Sequence, residues 1–227
     1  MISPTKQLPL DLAHRPALGR DAFLVTDSNA DAVGWIDRWP AWPMPALVLE
    51  GPPGAGKTHL ASVWRARADA GLIDGAALDA ASVPELLEAG RPLVVEAADR
   101  AAEQPLLHLY NGTAERRLSL LLTADRAPAR WGTSLPDLSS RLKALPVATI
   151  GAPDDRTIHA VLIKLFADRQ LIVADDVVDF LTARMERSFE AANRLVSAID
   201  TASLAARRRV SVPLARDVLR TLYPDVD

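Results

Sequence analysis

The stretch ALVLEGPPGAGKTHL, residues 46–60, limits what this chain can fold into more than any other. Ala46–Glu50 is an apolar run that reads as a buried strand, and the run from Lys57 to about Ala70 reads as a helix. Between them Gly51-Pro52-Pro53-Gly54-Ala55-Gly56-Lys57-Thr58 fits GxxxxGK[ST] at every position. Strand, glycine-rich turn, helix is the context in which such a turn cradles phosphate. Glycines let backbone N–H groups converge on phosphate oxygens, and the helix N-terminus adds partial positive charge. Lys57 is placed to reach β- and γ-phosphates and the Thr58 hydroxyl to ligate Mg²⁺, with His59 next in the first helical turn.

The rest of the chain repeats the alternation. GLID (71–74) is a weak strand, PLVVE (92–96) a strong one, and RLSLLLTA (117–124) a leucine run suited to burial on both faces, as in a parallel sheet. A helix is expected around Gln104–Thr113, another over LPDLSSRLKAL (135–145), and a fifth strand over PVATI (146–150). Ahead of the first strand, NADAVGWIDRW offers a capped helix with Ala32, Trp35, Ile36 and Trp39 on one face. Strands alternating with helices indicate an α/β fold with a parallel five-stranded sheet and flanking helices. After Gly151 the pattern becomes helical. DDRTIHAVLIKLFADRQ (154–170) spaces Ile158, Val161, Leu162, Leu165 and Phe166 along one face behind an Asp cap. Helices are expected at roughly 175–185 and 188–206, and another from near Pro213. The reading divides the chain into a tail (1–20), a phosphate-binding α/β unit (21–150) and a small all-helical unit (151–227).

A phosphate-binding loop of this kind needs an acid at the end of a neighbouring strand to hold the metal's water shell, and Glu96 supplies it. The next position, where an acid would polarise attacking water, is Ala97; Asp99 lies close, on the same strand face as residue 97 if the chain stays extended. Either self-hydrolysis is weak or absent, or Asp99 or another residue substitutes. Thr123, polar at the tip of an apolar strand, reads either as a γ-phosphate sensor or as a strand-end turn residue, and Asp125 as a turn residue. Arg141 is either a helix-end cation or an arginine finger acting on a neighbouring molecule's γ-phosphate. Glu190 and Arg194 have the spacing and order of a helical ion pair. Arg207, Arg208 and Arg209 form the one tight basic run, suited to a helix C-terminus or to phosphate contact. The tryptophans at 35, 39, 42, 64 and 131 are spaced for packing.

Composition removes other classes. The net charge of -3 gives no global basic field for nucleic acid, and with no cysteine there is neither disulfide nor thiolate metal site. The four histidines, His14, His59, His108 and His159, lack the spacing of a zinc motif. No stretch approaches the ~20 apolar residues of a membrane span, and the first thirty residues carry no signal-peptide run. A cytoplasmic protein with no membrane partner is expected.

A P-loop α/β unit followed by a helical lid resembles the AAA+ ATPase family. DAFLVTDSNADAV, with Phe23 ahead of an Asn-Ala pair, resembles the box that opens the ATPase domain of the bacterial initiator DnaA. LLLTADRAP resembles that family's sensor 1 strand, and LPDLSSRL the arginine-finger segment of the DnaA-related Hda-type regulators. Initiators of the family continue into a helix-turn-helix domain, which this reading does not expect here. Hda-type proteins open with a clamp-binding peptide QLxLxL, matched by Gln7-Leu8-Pro9-Leu10-Asp11-Leu12. An extended peptide of this kind fills a partner's apolar pockets with alternate side chains.

The resemblance implies a negative regulator of replication initiation that binds the DNA polymerase sliding clamp (β subunit) through Gln7, Leu8, Leu10 and Leu12. It would promote hydrolysis of the ATP held by DnaA with Arg141 as a finger in trans. DNA would be met mainly through the clamp, at the nucleoid and replisome, and self-association is compatible with the reading. Gly51–His59 and Phe23 would hold ADP or ATP, with Mg²⁺ on Thr58 and Glu96 and Thr123 at the terminal phosphate. Glu190 falls where the family's sensor 2 arginine touches nucleotide, with Arg187 or Arg194 as alternatives one turn away; with Ala97, this implies a resident ADP. The rival is a self-sufficient AAA+ ATPase such as a helicase loader or remodeller.

Overall fold

The computed structural model describes residues 25–223. Gln7, Leu8, Leu10, Leu12 and Phe23 lie outside them. Five short strands, β1 (Ala46–Glu50), β2 (Gly71–Asp74), β3 (Leu93–Glu96), β4 (Leu120–Ala124) and β5 (Val147–Thr149), form one parallel sheet in the order β2-β3-β4-β1-β5. The register sets Leu49 beside Thr123 and Glu50 beside Ala124. β1 and β4 are therefore neighbours, and their carboxyl ends open on one crevice, the usual ligand site of an open α/β sheet.

Period-two alternation divides the strand residues between two faces. Leu47, Leu49, Val94, Leu121 and Ala148 pack against α1 (Ala30–Arg38) and α2 (Lys57–Ala68). Val48, Val95, Leu120 and Leu122 pack against α3 (Ser82–Glu88), α4 (Glu103–Glu115) and α5 (Pro136–Ala144). Every residue of β4 is buried, as its leucine run requires. The tryptophans do pack: Trp64, fully buried on α2, stacks on Trp42 at 5.3 Å and meets Trp39 edge-on at 5.9 Å.

The remaining helices, α6 (Asp155–Asp168), α7 (Asp175–Thr182), α8 (Phe189–Ala206) and α9 (Val212–Leu222), close a core of their own around Leu162, Phe166, Leu181, Leu195 and Ile199. Asp154 caps α6 by accepting from the Thr157 N–H at 2.7 Å, and Ser188 caps α8 by accepting from the Ala191 N–H at 3.0 Å. Two boundaries and one element are among the differences from the sequence reading, as is α7, which ends at Thr182 and not near 185. β4 starts at Leu120, because Arg117 at φ 57 breaks the chain after α4. α2 stops at Ala68, before Asp69 at φ 49. The short helix α3 had not been anticipated. Among the described residues no helix is long and apolar enough to cross a membrane.

Candidate functional site

The octet after β1 folds as its composition dictates. Gly54 at φ +71 and Gly56 at φ +101 take backbone conformations that side chains disfavour, and Gly56 is the residue from which α2 starts. Lys57 bends back over the loop. Its Nζ donates to the carbonyls of Gly51 at 2.7 Å and Pro52 at 2.9 Å, and to Asp125 Oδ1 at 2.9 Å. Thr58, Pro52 and Pro53 are exposed, while Ala55 is buried. The residues fit a nucleotide phosphate: the ammonium already accepts an anionic oxygen as neighbour, and the N-terminus of a 12-residue helix faces the same side. Asp125 is thus more than a turn residue. Its second oxygen lies 3.8 Å from Arg100 Nη2, so one carboxylate stands between two cations.

Thr123, 3% exposed, accepts a hydrogen bond from the Ala97 N–H at 3.1 Å. The hydroxyl ties the exit of β3 to the tip of β4 and keeps its own proton to donate. Glu96 ends β3, half-buried, with β4 between it and the glycine-rich loop. It and Thr58 are the side chains expected to hold Mg²⁺, and the described residues hold no cluster of three His, Cys, Asp or Glu placed for a metal. Beyond Glu96 the extended alternation fails. Ala97 is left-handed at φ 49, and Asp99 lies in the tight turn Ala98–Arg100, its Oδ1 buried without a hydrogen-bond donor. Residues 97 and 99 therefore do not share a strand face.

The lid closes on the loop through α8. The Phe189 N–H donates to the Gly54 carbonyl at 2.9 Å, with Ser188 directly against Gly54. Glu190 is exposed in the first turn of that helix. The helical pair expected between Glu190 and Arg194 does not form: Arg194 turns to Tyr223, donating to its hydroxyl at 3.0 Å and lying over its ring at 5.4 Å. An aromatic face with a hydroxyl outcompetes one exposed carboxylate. Arg187 is also engaged, by the Asp155 carboxylate, whose pKa its hydrogen bonds lower. His59, half-buried, has its pKa lowered first by burial and then by the Lys164 ammonium of α6. It is a neutral ring where α2 approaches the lid, not a cation for phosphate.

Arg141 lies on α5, whose Leu138 and Leu142 pack on the sheet face opposite α2. Its guanidinium sits 5.7 Å over the Tyr110 ring, with Nε 3.5 Å from Asp137, and 40% of the side chain is exposed. The start of α5 is held by Glu103, which the sequence reading missed. That carboxylate accepts from the N–H groups of Ser134 and Leu135, both at 2.8 Å, and from the Ser134 hydroxyl at 2.9 Å. These backbone donors hold its pKa below the ordinary value. Arg207, Arg208 and Arg209 are exposed after α8, Arg207 closing the helix at φ 50.

Comparison with known proteins matches this architecture. Residues 154–219 match the family described as "Hda, lid domain". Domain III of the Thermotoga maritima replication initiation protein DnaA is similar in structure, with a TM-score of 0.79 over 91% of this chain and 97% of that one at 17% identity. The Thermotoga maritima RuvB Holliday junction branch migration motor has a TM-score of 0.72, covering 92% of this chain and 74% of that one at 15% identity. A DNA replication initiation factor has a TM-score of 0.64, covering 87% and 75% at 16% identity. At such identities the structural likeness is one of fold, and the lid match narrows it. Residues 154–219 are thus similar to the Hda lid domain, and the chain as a whole has the fold of DnaA domain III.

Proposed function

We propose that this protein is a negative regulator of bacterial replication initiation, acting in the cytoplasm at replicating DNA, that stimulates hydrolysis of the ATP bound to DnaA. The observation that carries the reading is the placement of Arg141. Half-exposed on α5, it projects from the sheet face opposite the helix that carries Lys57. A guanidinium so placed serves a nucleotide held by a neighbour. There it stabilises charge on the transferring phosphoryl group, an effect worth about 10³–10⁵ in rate. Tyr110 and Asp137 hold it over α4, and Glu103 fixes the start of its helix.

This chain's own nucleotide, ADP or ATP with Mg²⁺, is held by Gly51–Thr58 with Glu96 and Thr123. When bound, its phosphates supply the negative charge that Lys57 and the N-terminus of α2 are built to receive. Ala97 offers no carboxylate to polarise water, which favours ADP as the resident ligand. Gln7, Leu8, Leu10 and Leu12 dock on the sliding clamp as an extended peptide and bring the body to DNA.

The deciding measurement is DnaA ATP hydrolysis with and without DNA-loaded clamp, comparing wild type, Arg141→Ala and Gln7→Ala. Both variants are expected to lose the stimulation, Gln7→Ala through lost clamp affinity and Arg141→Ala with that affinity retained. Brisk ATP turnover by the purified protein alone, indifferent to Arg141→Ala, would instead make it a self-sufficient ATPase.

A further inference from the structure

The lid offers the glycine-rich loop no guanidinium among the described residues expected to supply one. Position 190, in the first turn of α8, is a glutamate; Arg187 is engaged by Asp155 and Arg194 by Tyr223. On the sheet side of the loop, however, a second cation is already in place. Ala97, left-handed, turns the chain off β3 so that the Ala98–Arg100 turn packs against β4. Arg100 Nη2 then lies 3.8 Å from Asp125 Oδ2, while Asp125 Oδ1 lies 2.9 Å from Lys57 Nζ.

Lys57 and Arg100 thus converge on one carboxylate across a short span, an arrangement in which an incoming anion can take the carboxylate's place. Lys57 belongs to it by its place in the loop. Arg100 is held by its carboxylate neighbour at a longer distance and remains 67% exposed, free to follow an incoming anion. A phosphoryl group arriving at Lys57 competes with Asp125 for both. A triphosphate carries one more charged group at its end than a diphosphate, and a planar guanidinium binds phosphate oxygens in pairs. We infer that Arg100 is the ligand of the terminal phosphate in this site, doing from the β3 exit what a lid arginine would do. It thereby sets the preference between tri- and diphosphate. The inference rests on the nucleotide reading of the glycine-rich loop and deepens it.

The test is calorimetric titration of the full chain with Mg²⁺-ADP and with the non-hydrolysable analogue Mg²⁺-AMP-PNP, for wild type, Arg100→Ala, Arg100→Lys and Lys57→Ala. Arg100→Ala is expected to weaken AMP-PNP binding about tenfold while ADP binding stays within about twofold. Arg100→Lys should fall between wild type and Arg100→Ala, because a point charge replaces a fork. Lys57→Ala should weaken both ligands. Equal effects of Arg100→Ala on the two ligands, or none on either, overturn the assignment. Wild type binding ADP but not AMP-PNP also overturns it and leaves the nucleotide reading standing. Wild type binding neither defeats that reading and this inference together.

Discussion

Thr123 is a single hydroxyl with two obligations. In the proposed site it senses a terminal phosphate from the tip of β4, and its oxygen already accepts from the Ala97 N–H at 3.1 Å. Thr123→Val keeps the shape and the strand preference but leaves that half-buried N–H unsatisfied, a loss of about 1–3 kcal/mol. Urea unfolding of nucleotide-free protein should show this deficit in Thr123→Val and little of it in Thr123→Ser. Wild-type stability in Thr123→Val would confine the hydroxyl to phosphate sensing. The sequence makes Lys57, Thr58, Glu96 and Thr123 candidates because each is tied to a strand end or to its neighbours in the loop. It could not reveal Asp125 as the Lys57 partner, 68 positions away, because that contact exists only once β4 lies beside β1. The Glu190–Arg194 expectation failed for the same reason: Tyr223, 29 positions from Arg194, comes within reach only when α9 folds back.

Between α4 and α5 the decisive element is the connection that ends at Ser134 and Leu135. Glu103 gathers both amides and the Ser134 hydroxyl, so the first turn of one helix orients the first turn of the next. Its carboxyl titrates below its ordinary value of 4.5, lowered first by the Ser134 backbone hydrogen bond and then by that of Leu135. A depressed acid contributes fully above the unfolded pKa and loses that contribution as pH falls through the folded one. Hydrogen exchange should therefore find the Ser134 and Leu135 amides protected at neutral pH. That protection is expected to fade as the solution is acidified below the ordinary carboxylate range, and to be absent at every pH in Glu103→Ala. Protection unchanged in Glu103→Ala would mean that packing of Leu138 and Leu142 alone sets α5. Most elements could be read from apolar spacing, since α6 and α8 repeat their face over several turns. α3 was hidden because seven residues offer too few repeats, with Val83 and Leu87 as its only buried apolar positions.

At the scale of the whole molecule, the sheet unit and the lid keep separate apolar cores. The sheet buries its apolar residues on its own two faces and the lid buries its own, so one contact through which the units sense each other is Gly54 against Ser188 and Phe189. The glycine-rich loop, the proposed phosphate cradle, is therefore also in contact with the lid. A Cβ added at Gly54 would lie 2.5 Å from Ser188 Cβ and 2.9 Å from its Oγ, and φ +71 disfavours a side chain besides. Gly54→Ala carries both costs, the backbone one being about 1 kcal/mol. Ser188→Gly removes the obstructing atoms and, at a helix N-cap, costs only about a few tenths of a kcal/mol. ADP affinity across the cycle of wild type, Gly54→Ala, Ser188→Gly and the double variant separates the two effects. Gly54→Ala is expected to weaken ADP about tenfold or more, Ser188→Gly to stay near wild type, and the double variant to recover all but the backbone share. If the double variant binds no better than Gly54→Ala, the lid does not couple to the nucleotide through this contact, and the loop's own conformation accounts for the whole loss.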